Sequence, residues 1–505
     1  MKKLIYILFG CFLLVVQQAC YDDDSTLPDK AIIEVDIQTP ARDSINLYFN
    51  DTLRIPVNIE STTDALTYEW GYGKSATDPK TGKSSTVFKK ISTEKSLEYI
   101  PRELGHYELR QLVTSKDGST IKYYHIFVNS PFEEGFLILG RKSNNKGSIA
   151  FLKTLTPEDI EMGMKEEFRQ NVYSYANQGD ELYLDPVDCD KVGDYIYVLH
   201  GESQKLVQLD AKTMVKVFEY DFKYYQNDFI PTRMMSYDGR FCREFYIPSQ
   251  NGGVAMVQTR EQFIFPYVDL PKGYTWVDGN DRPSYFSSCN RVYIGRHNSD
   301  KNNVICWSGA NADREIAMRP CYDYFENREV IAMFQNEKTD GNDVFVFNKY
   351  NGRLYITALN SMMYNFSLGV APWVMFERPL SNAEIVDENT QLLTNDHYKC
   401  VFITHKNKVY RWYYNQPDAD LPSDHYIKLG DDEEIRSISH FQKSRNDSDY
   451  QDYSVQKEIY IATYNPKRTG QYKGSLYIYD ADSCKEIKKY EGISDEPIDV
   501  LYKIK

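Results

Sequence analysis

An all-β protein of two domains is predicted from three observations: a strand–turn–strand phrase that recurs seven times, an abundance of aromatic side chains, and a shorter run of strand signals ahead of the repeats. The phrases centre on Leu137, Tyr197, Tyr246, Tyr293, Phe345, Phe402 and Tyr460, at spacings of 47 to 60 residues. A short strand pair cannot cover both of its faces alone, so an all-strand repeat of about 50 residues predicts blades packed around an axis, a seven-bladed β-propeller. Forty-two Tyr and 25 Phe suit such sheets, because rings pack well on a pleated, half-buried surface. At 505 residues the chain exceeds what one core usually supports.

The amino terminus gives an address. Residues 1–19 carry Lys2 and Lys3, an apolar run from Leu4 to Val16 and small Ala19, the pattern of a secretory signal too short to span a bilayer as a mature helix. Cys20 follows at once and is expected to be the acylated first residue of a lipoprotein, although Gln17 and Gln18 depart from the standard lipobox. Asp22, Asp23 and Asp24 open an acidic tether over residues 20–30 and resemble the export signal that takes lipoproteins to the outer face of the outer membrane. A lipid-anchored protein of the outer membrane, facing the cell exterior, is therefore expected. Without the signal the charge is 57 basic against 73 acidic groups, or −16. Such a surface argues against nucleic acid, whose binding relies on basic patches.

Residues 31–130 are expected to form a small β-sandwich, with strands at Ile32 to Ile37, Leu53 to Ile59, Leu66 to Trp70, Gly105 to Val113 and Ile121 to Val128. Tyr68-Glu69-Trp70-Gly71 and Pro101-Arg102-Glu103-Leu104-Gly105-His106-Tyr107 resemble the polycystic-kidney-disease (PKD) repeat, an Ig-like sandwich, with Gly71-Tyr72-Gly73-Lys74 replacing the acidic loop usual after the Trp. In that fold Trp70 and Tyr107 are core residues. Ser115-Lys116-Asp117-Gly118-Ser119-Thr120 is similar to the aspartate box of sialidases but lacks its closing Trp, and is expected to be a hairpin turn.

Within residues 131–505 each phrase pairs with a following strand across turns such as Asn145-Lys146-Gly147, Asn251-Gly252-Gly253 and Asn351-Gly352, which supply the positive φ of tight hairpins. Innermost strands are expected before the phrases, at Pro186 to Asp190, Thr232 to Ser236, Glu329 to Gln335, Ile385 to Leu393 and Glu434 to Phe441. The phrase at Leu137 has none, while Glu496 to Tyr502 aligns with Glu434 to His440 and has no phrase after it. The C-terminal strand is thus predicted to complete the first blade and close the ring, removing two sheet edges.

Motifs of catalysis are absent: no HExxH, no GxSxG elbow, no phosphate loop and no CxxC pair. No cofactor and no metal is expected; His397, Cys400 and His405 lie near one strand pair but lack suitable ligand spacing. Cys289 and Cys306 flank one hairpin, where a disulfide would join its strands. Acidic clusters occur at Asp278 to Asp281, Asp418 to Asp424, Gly430 to Glu434 and Asn446 to Asp452; paired carboxylates of this kind would serve glycoside hydrolysis if held at the right separation. The connections from outermost to next innermost strand, which open onto the usual ligand face of propellers, are expected to carry Tyr224 and Tyr225, Tyr274 and Trp276, Tyr322 and Tyr324, Trp373, and Tyr426. Flat rings there would stack on sugars or anchor peptides, with Trp276 and Trp373 as a rim platform.

Signal, acidic tether, PKD-like sandwich and long β-domain together resemble the PKD-like family of surface lipoproteins. The resemblance implies a non-enzymatic accessory that captures or positions an oligosaccharide or peptide for a TonB-dependent SusC/SusD-like importer, touching the membrane through its lipid alone. A surface glycoside hydrolase or lyase, and a purely structural or adhesive subunit, are the alternatives.

Overall fold

The computed structural model describes residues 33–504 except 40, 63–64, 78–83, 237–243, 270–272, 277–290, 298, 301–303, 310–318, 323–324, 326, 337–342, 361–372, 417 and 442–455. The signal, Cys20, Asp22, Asp23, Asp24, Cys289, Tyr324 and two of the acidic clusters lie outside the described residues. The protein is all-β, as the repeats and aromatic content predict; helix among the described residues is limited to two α-helical and two 3-10 segments. None of these helices is long and apolar enough to cross a membrane. The chain divides into two compact units, Met1–Asn129 and Ser130–Lys505.

The first unit is built on a five-stranded sheet in the order Ser44–Tyr48, Ser119–Asn129, Gly105–Thr114, Thr67–Gly73, Lys89–Ser92. Three two-stranded pairs accompany it: Val35–Gln38 with Asn58–Ser61, Leu53–Ile55 with Leu97–Tyr99, and Ser75–Thr77 with Ser84–Thr86. Trp70, Leu109, Val113, Tyr124 and Ile126 are fully buried, and the Trp70 indole donates to the Glu94 carbonyl at 2.9 Å. The strand expected over Leu53 to Ile59 is two strands, because Pro56 lacks the N–H to continue a ladder. Ser44–Tyr48 had no counterpart in the expected strands; it pairs in parallel with Ser119–Asn129. The Ser115-to-Gly118 segment is a hairpin turn, with the Ser115 amide donating to the Gly118 carbonyl at 2.9 Å.

Among the described residues the second unit holds seven antiparallel sheets in chain order. Sheet 1 pairs Gly147–Lys153, Gly135–Arg141 and the C-terminal Glu496–Lys503; sheets 2 to 7 each have four strands that follow one another in sequence. All seven phrases predicted from sequence are second and third strands of these sheets. Asn145 and Asn351 take φ of 64° and 49° in their turns.

Strand alternation sends side chains to two neighbours at once. In sheet 1, Leu137 and Leu139 pack with Ile196, Val198 and Val207 of sheet 2. Phe136 and Ile138, one residue out of step, pack with Tyr460, Ala462 and Leu476 of sheet 7. Further apolar seams join sheets 2 and 3, 5 and 6, and 6 and 7. Polar links run beside them: Asp188 of sheet 2 accepts from the Met234 amide at 2.7 Å, Arg296 of sheet 4 donates to the Val330 carbonyl of sheet 5 at 3.2 Å, and His440 of sheet 7 contacts the Thr394 carbonyl of sheet 6 at 3.0 Å.

The C-terminal strand sits between sheets 7 and 2. Its Asp499 accepts from the Ser437 hydroxyl at 2.9 Å on one side and from the Cys189 thiol at 3.6 Å on the other. Lys503, 2% exposed, donates to the carbonyls of Phe132 and Glu133. From outside, the connection after sheet 1 straps the same seam. Arg169 and Phe151 exchange backbone hydrogen bonds at 2.8 and 3.0 Å, and Glu166 accepts from Lys488 and Tyr490 of sheet 7 at 2.5 and 2.7 Å.

Three innermost strands differ from expectation: that of sheet 3 is Met235–Ser236, shorter than Thr232 to Ser236. The innermost strand of sheet 6 is Leu392–Asn395, not Ile385 to Leu393. Ile385 and Val386 are apolar because a 3-10 turn buries them against sheets 5 and 6, and Asp387 then caps a turn by accepting from the Asn389 amide at 2.8 Å. The innermost strand of sheet 4 is Tyr274–Trp276, a stretch expected to be a connection.

Candidate functional site

The connection from sheet 2 to sheet 3 is a short segment fixed at both flanks. Asp221 accepts from the Lys223 amide at 2.9 Å and starts a single 3-10 turn, Phe222–Tyr224. Phe222 and Phe229 are buried and stack at 5.1 Å and 18°, with Tyr225 edge-on to Phe229 at 5.4 Å. Tyr224 lies on the opposite side of that turn and is left 93% exposed.

Hydrogen bonds clamp the segment between two hairpin turns. On the sheet 2 side the Phe222 amide donates to the Gln204 carbonyl at 2.9 Å, and the Gln204 side chain donates to the Asn227 carbonyl at 3.0 Å. On the sheet 3 side the Ile230 amide donates to the Ser249 hydroxyl at 3.1 Å, and the Asn251 side chain donates to the Asp228 carbonyl. Gln226 donates to the Asp228 carboxylate at 2.8 Å. The result is an outward ring on a pre-set backbone. Such a ring offers a flat apolar face, on which sugar rings and peptides both stack.

The other rings do not recur at equivalent positions. Tyr225 is half-buried beside Tyr224. Tyr274 and Trp276 belong to the innermost strand of sheet 4, where Tyr274 meets His297 edge-on at 5.0 Å. Tyr322 ends, and Trp373 begins, an outermost strand rather than a connection. Tyr426 precedes the outermost strand of sheet 6, Ile427–Lys428, and so lies within the sheet's third-to-fourth-strand turn rather than in a connection between sheets; its ring is covered by Arg411 at 4.0 Å and its hydroxyl donates to the Asp482 carbonyl. The side-chain hydrogen bonds of Gln204 and Asn251 escaped the sequence reading because both residues sit in turns, where such residues are ordinary.

The acidic groups that are described act as braces. In the 430–434 cluster, Asp431 pairs with Lys428 at 3.1 Å, Asp432 with Lys467 at 2.6 Å, and buried Glu433 with Arg468 at 3.1 Å. Asp420 accepts from the Ser381 amide at 3.1 Å and from Arg378 at 3.3 Å, and the Ser381 hydrogen bonds hold its carboxyl below the usual range. Near sheets 1 and 2, Glu181 takes Lys146 at 2.6 Å and Lys142 at 3.1 Å, which lowers its pKa. Glu219 is pushed up by burial, but Lys205 at 2.7 Å and the Tyr183 hydroxyl at 2.5 Å bring it below normal.

Beneath Tyr183 lies His200, wholly buried and edge-on to that ring at 5.8 Å. Burial pulls its pKa down to about 4, against the backbone of Leu184 and Tyr183 and the charge of Glu219. A Cβ at Gly147 would stand 3.0 Å from the His200 ring, so the turn residue there also makes room for the imidazole. Burial likewise pushes the Cys400 thiol up to about 12, the mark of a packed rather than reactive cysteine. Among the described residues no group of three donors is arranged to hold a metal.

No family model matches the chain, and no curated protein does. Among solved structures it is similar to a quinonprotein alcohol dehydrogenase-like protein from Bacteroides thetaiotaomicron, at 12% identity and TM-score 0.47, over 91% of this chain and 96% of that one. A DUF4784 family protein from Bacteroides caccae is similar at 8% identity and TM-score 0.34, over 92% and 98%. The β-propeller domain of Cps50 (Swd1) from Myceliophteria thermophila is similar at 8% identity and TM-score 0.40, over 63% and 90%. With these three TM-scores below 0.5, sheet pairing and packing rather than likeness carry the architecture.

Proposed function

We propose that this chain is a lipid-anchored outer-membrane lipoprotein, displayed on the cell exterior, in which a PKD-like module precedes a seven-bladed β-propeller. It binds or positions a nutrient, glycan or peptide, for a TonB-dependent SusC/SusD-like importer and carries out no catalysis itself. The seven successive sheets, with the C-terminal strand inside the first, support the blade count. The observation that carries the binding role is the clamped segment that holds Tyr224 outward. The pairing of Asp431, Asp432 and Glu433 with cations and of Asp420 with the Ser381 amide speaks for binding over acid–base chemistry. For the address, the support is the apolar run ending at Cys20 and the three aspartates after it.

The test is made in cells. Labelling with a palmitate analogue should mark the wild-type chain and not Cys20→Ala, and external proteinase K should digest it on intact cells unless Asp22, Asp23 and Asp24 are replaced by Ala. Affinity purification from detergent-solubilised membranes should recover a TonB-dependent transporter. An unlabelled chain, or one recovered with no transporter, would defeat the proposal.

A further inference from the structure

The long hairpin of the first unit pairs Glu108 with His125 and His106 with Phe127. Alternation places all four on the outward face of the sheet, with Tyr107, Leu109, Tyr124 and Ile126 buried behind them. His106 and His125 stand 5.6 Å apart between ring centroids, inclined at 38°. Two imidazoles bound to one ion at about 2.0–2.1 Å, with a roughly tetrahedral angle at the metal, have centroids about 5 Å apart. The observed pair is within about half an ångström of that separation before any ion enters.

The ring of His106 is also oriented. It lies flat on Phe127, at 4.5 Å and 5°, a contact that fixes its plane as an outer-shell partner would. Glu108 supplies a third donor of the right kind: it is two residues from His106 on one strand and directly across from His125 on the next. Its carboxylate now accepts from the Thr86 hydroxyl at 2.6 Å, so the three donors do not yet converge. To join the two rings Glu108 would give up the Thr86 hydrogen bond. Donors at i and i+2 on one strand and at one cross-strand position form a three-sided set with a fourth position open.

We propose that His106 and His125, with Glu108 as third donor, form a site for a divalent transition-metal ion on the outward sheet of the first unit. Imidazole nitrogens with one carboxylate favour zinc, nickel or copper over magnesium or calcium, which prefer oxygen. The site is independent of the Tyr224 rim and of the import role proposed above.

Titration of the full chain with Zn²⁺ at pH 7.5 by isothermal calorimetry tests it. One saturable equivalent is expected, lost in His106→Ala and in His125→Ala, and weakened about tenfold in Glu108→Gln. The double variant His397→Ala, His425→Ala, at two other exposed imidazoles, should bind as wild type. His106→Gln and His125→Gln keep a polar side chain on the face and carry the same decision should an alanine variant fail to fold. Absence of a saturable equivalent, its survival in His125→Ala or His125→Gln, or its loss in the His397, His425 double variant would overturn the site. Affinity unchanged by Glu108→Gln would remove the carboxylate from it.

Discussion

The hydroxyl of Ser437 in sheet 7 donates to the carboxylate of Asp499 at 2.9 Å, and Asp499 belongs to a strand of sheet 1. The same carboxylate takes the Cys189 thiol of sheet 2, so one side chain joins three sheets at the place where the two ends of the second unit meet. Ser439 adds a second link, donating to the Val500 carbonyl at 3.0 Å.

Asp499→Ala should therefore destabilise the second unit by about 1–3 kcal/mol, the usual cost of leaving buried polar partners unmade. Urea unfolding followed by tryptophan fluorescence measures it. Deleting residues 496–505 removes the strand as well as the contact and should abolish cooperative unfolding of the unit. An unchanged melting temperature in the deletion would contradict closure through this strand.

His200 sets an acid limit. Its pKa is depressed to about 4 in the folded protein against an unfolded value near 6.5, so the unfolded state binds the extra proton between those values. Stability is then fully present above about pH 6.5 and falls by about 3 kcal/mol as pH drops to about 4. The fall should be smaller in His200→Gln, which does not titrate; parallel stability–pH profiles for the two proteins would refute this assignment.

Lys503 acts on the alkaline side. Burial, with Lys191 nearby, draws its pKa down to about 7, so the folded state loses its proton before the unfolded state does. Burying the charge costs most below about pH 7, and the cost is relieved, by on the order of 4 kcal/mol, as pH rises toward about 10.5. The stability difference between wild type and Lys503→Met should shift in favour of wild type over that interval, whatever its value at neutral pH. A difference independent of pH would show that the amine is not titrating there.

Tyr224→Ala should leave the melting temperature within experimental scatter, because an exposed ring contributes about 0.5 kcal/mol or less to the fold. It should lower capture of the imported nutrient, measured as uptake by cells carrying the variant. A double variant of Trp276 and Trp373, placed on strands rather than in the connections, should change the melting temperature more than the uptake. The reverse pattern would move the binding surface away from the sheet 2 to sheet 3 connection.

Much of this architecture was legible because alternation and turn residues act locally. The phrases at Leu137 to Tyr460 carry their own period of two, and the orphan strand Glu496 to Tyr502 was found by matching it to Glu434 to His440. What escaped depends on distant partners. Ser44–Tyr48 is a strand through its parallel neighbour, and Tyr274–Trp276 is one because Gly295, Arg296 and His297 offer it an edge. Ile385 and Val386 misled because burial in a loop and burial in a strand look alike in a short apolar run. At the candidate site Tyr224 was visible as a ring in a connection, whereas its 93% exposure follows from which neighbours stack beneath it.

The pairing of Gly135–Arg141 with Glu496–Lys503 also sets a schedule. A polypeptide made from its amino end produces the opening hairpin of the second unit early, and that hairpin keeps a vacant ladder edge until residue 503 has been added. Products that lack the C-terminal strand, from the ribosome or after proteolysis, retain an unpaired edge on Gly135–Arg141. Chaperones and proteases can recognise such an edge, so the pairing of Gly135–Arg141 with Glu496–Lys503 also hides a signal for quality control.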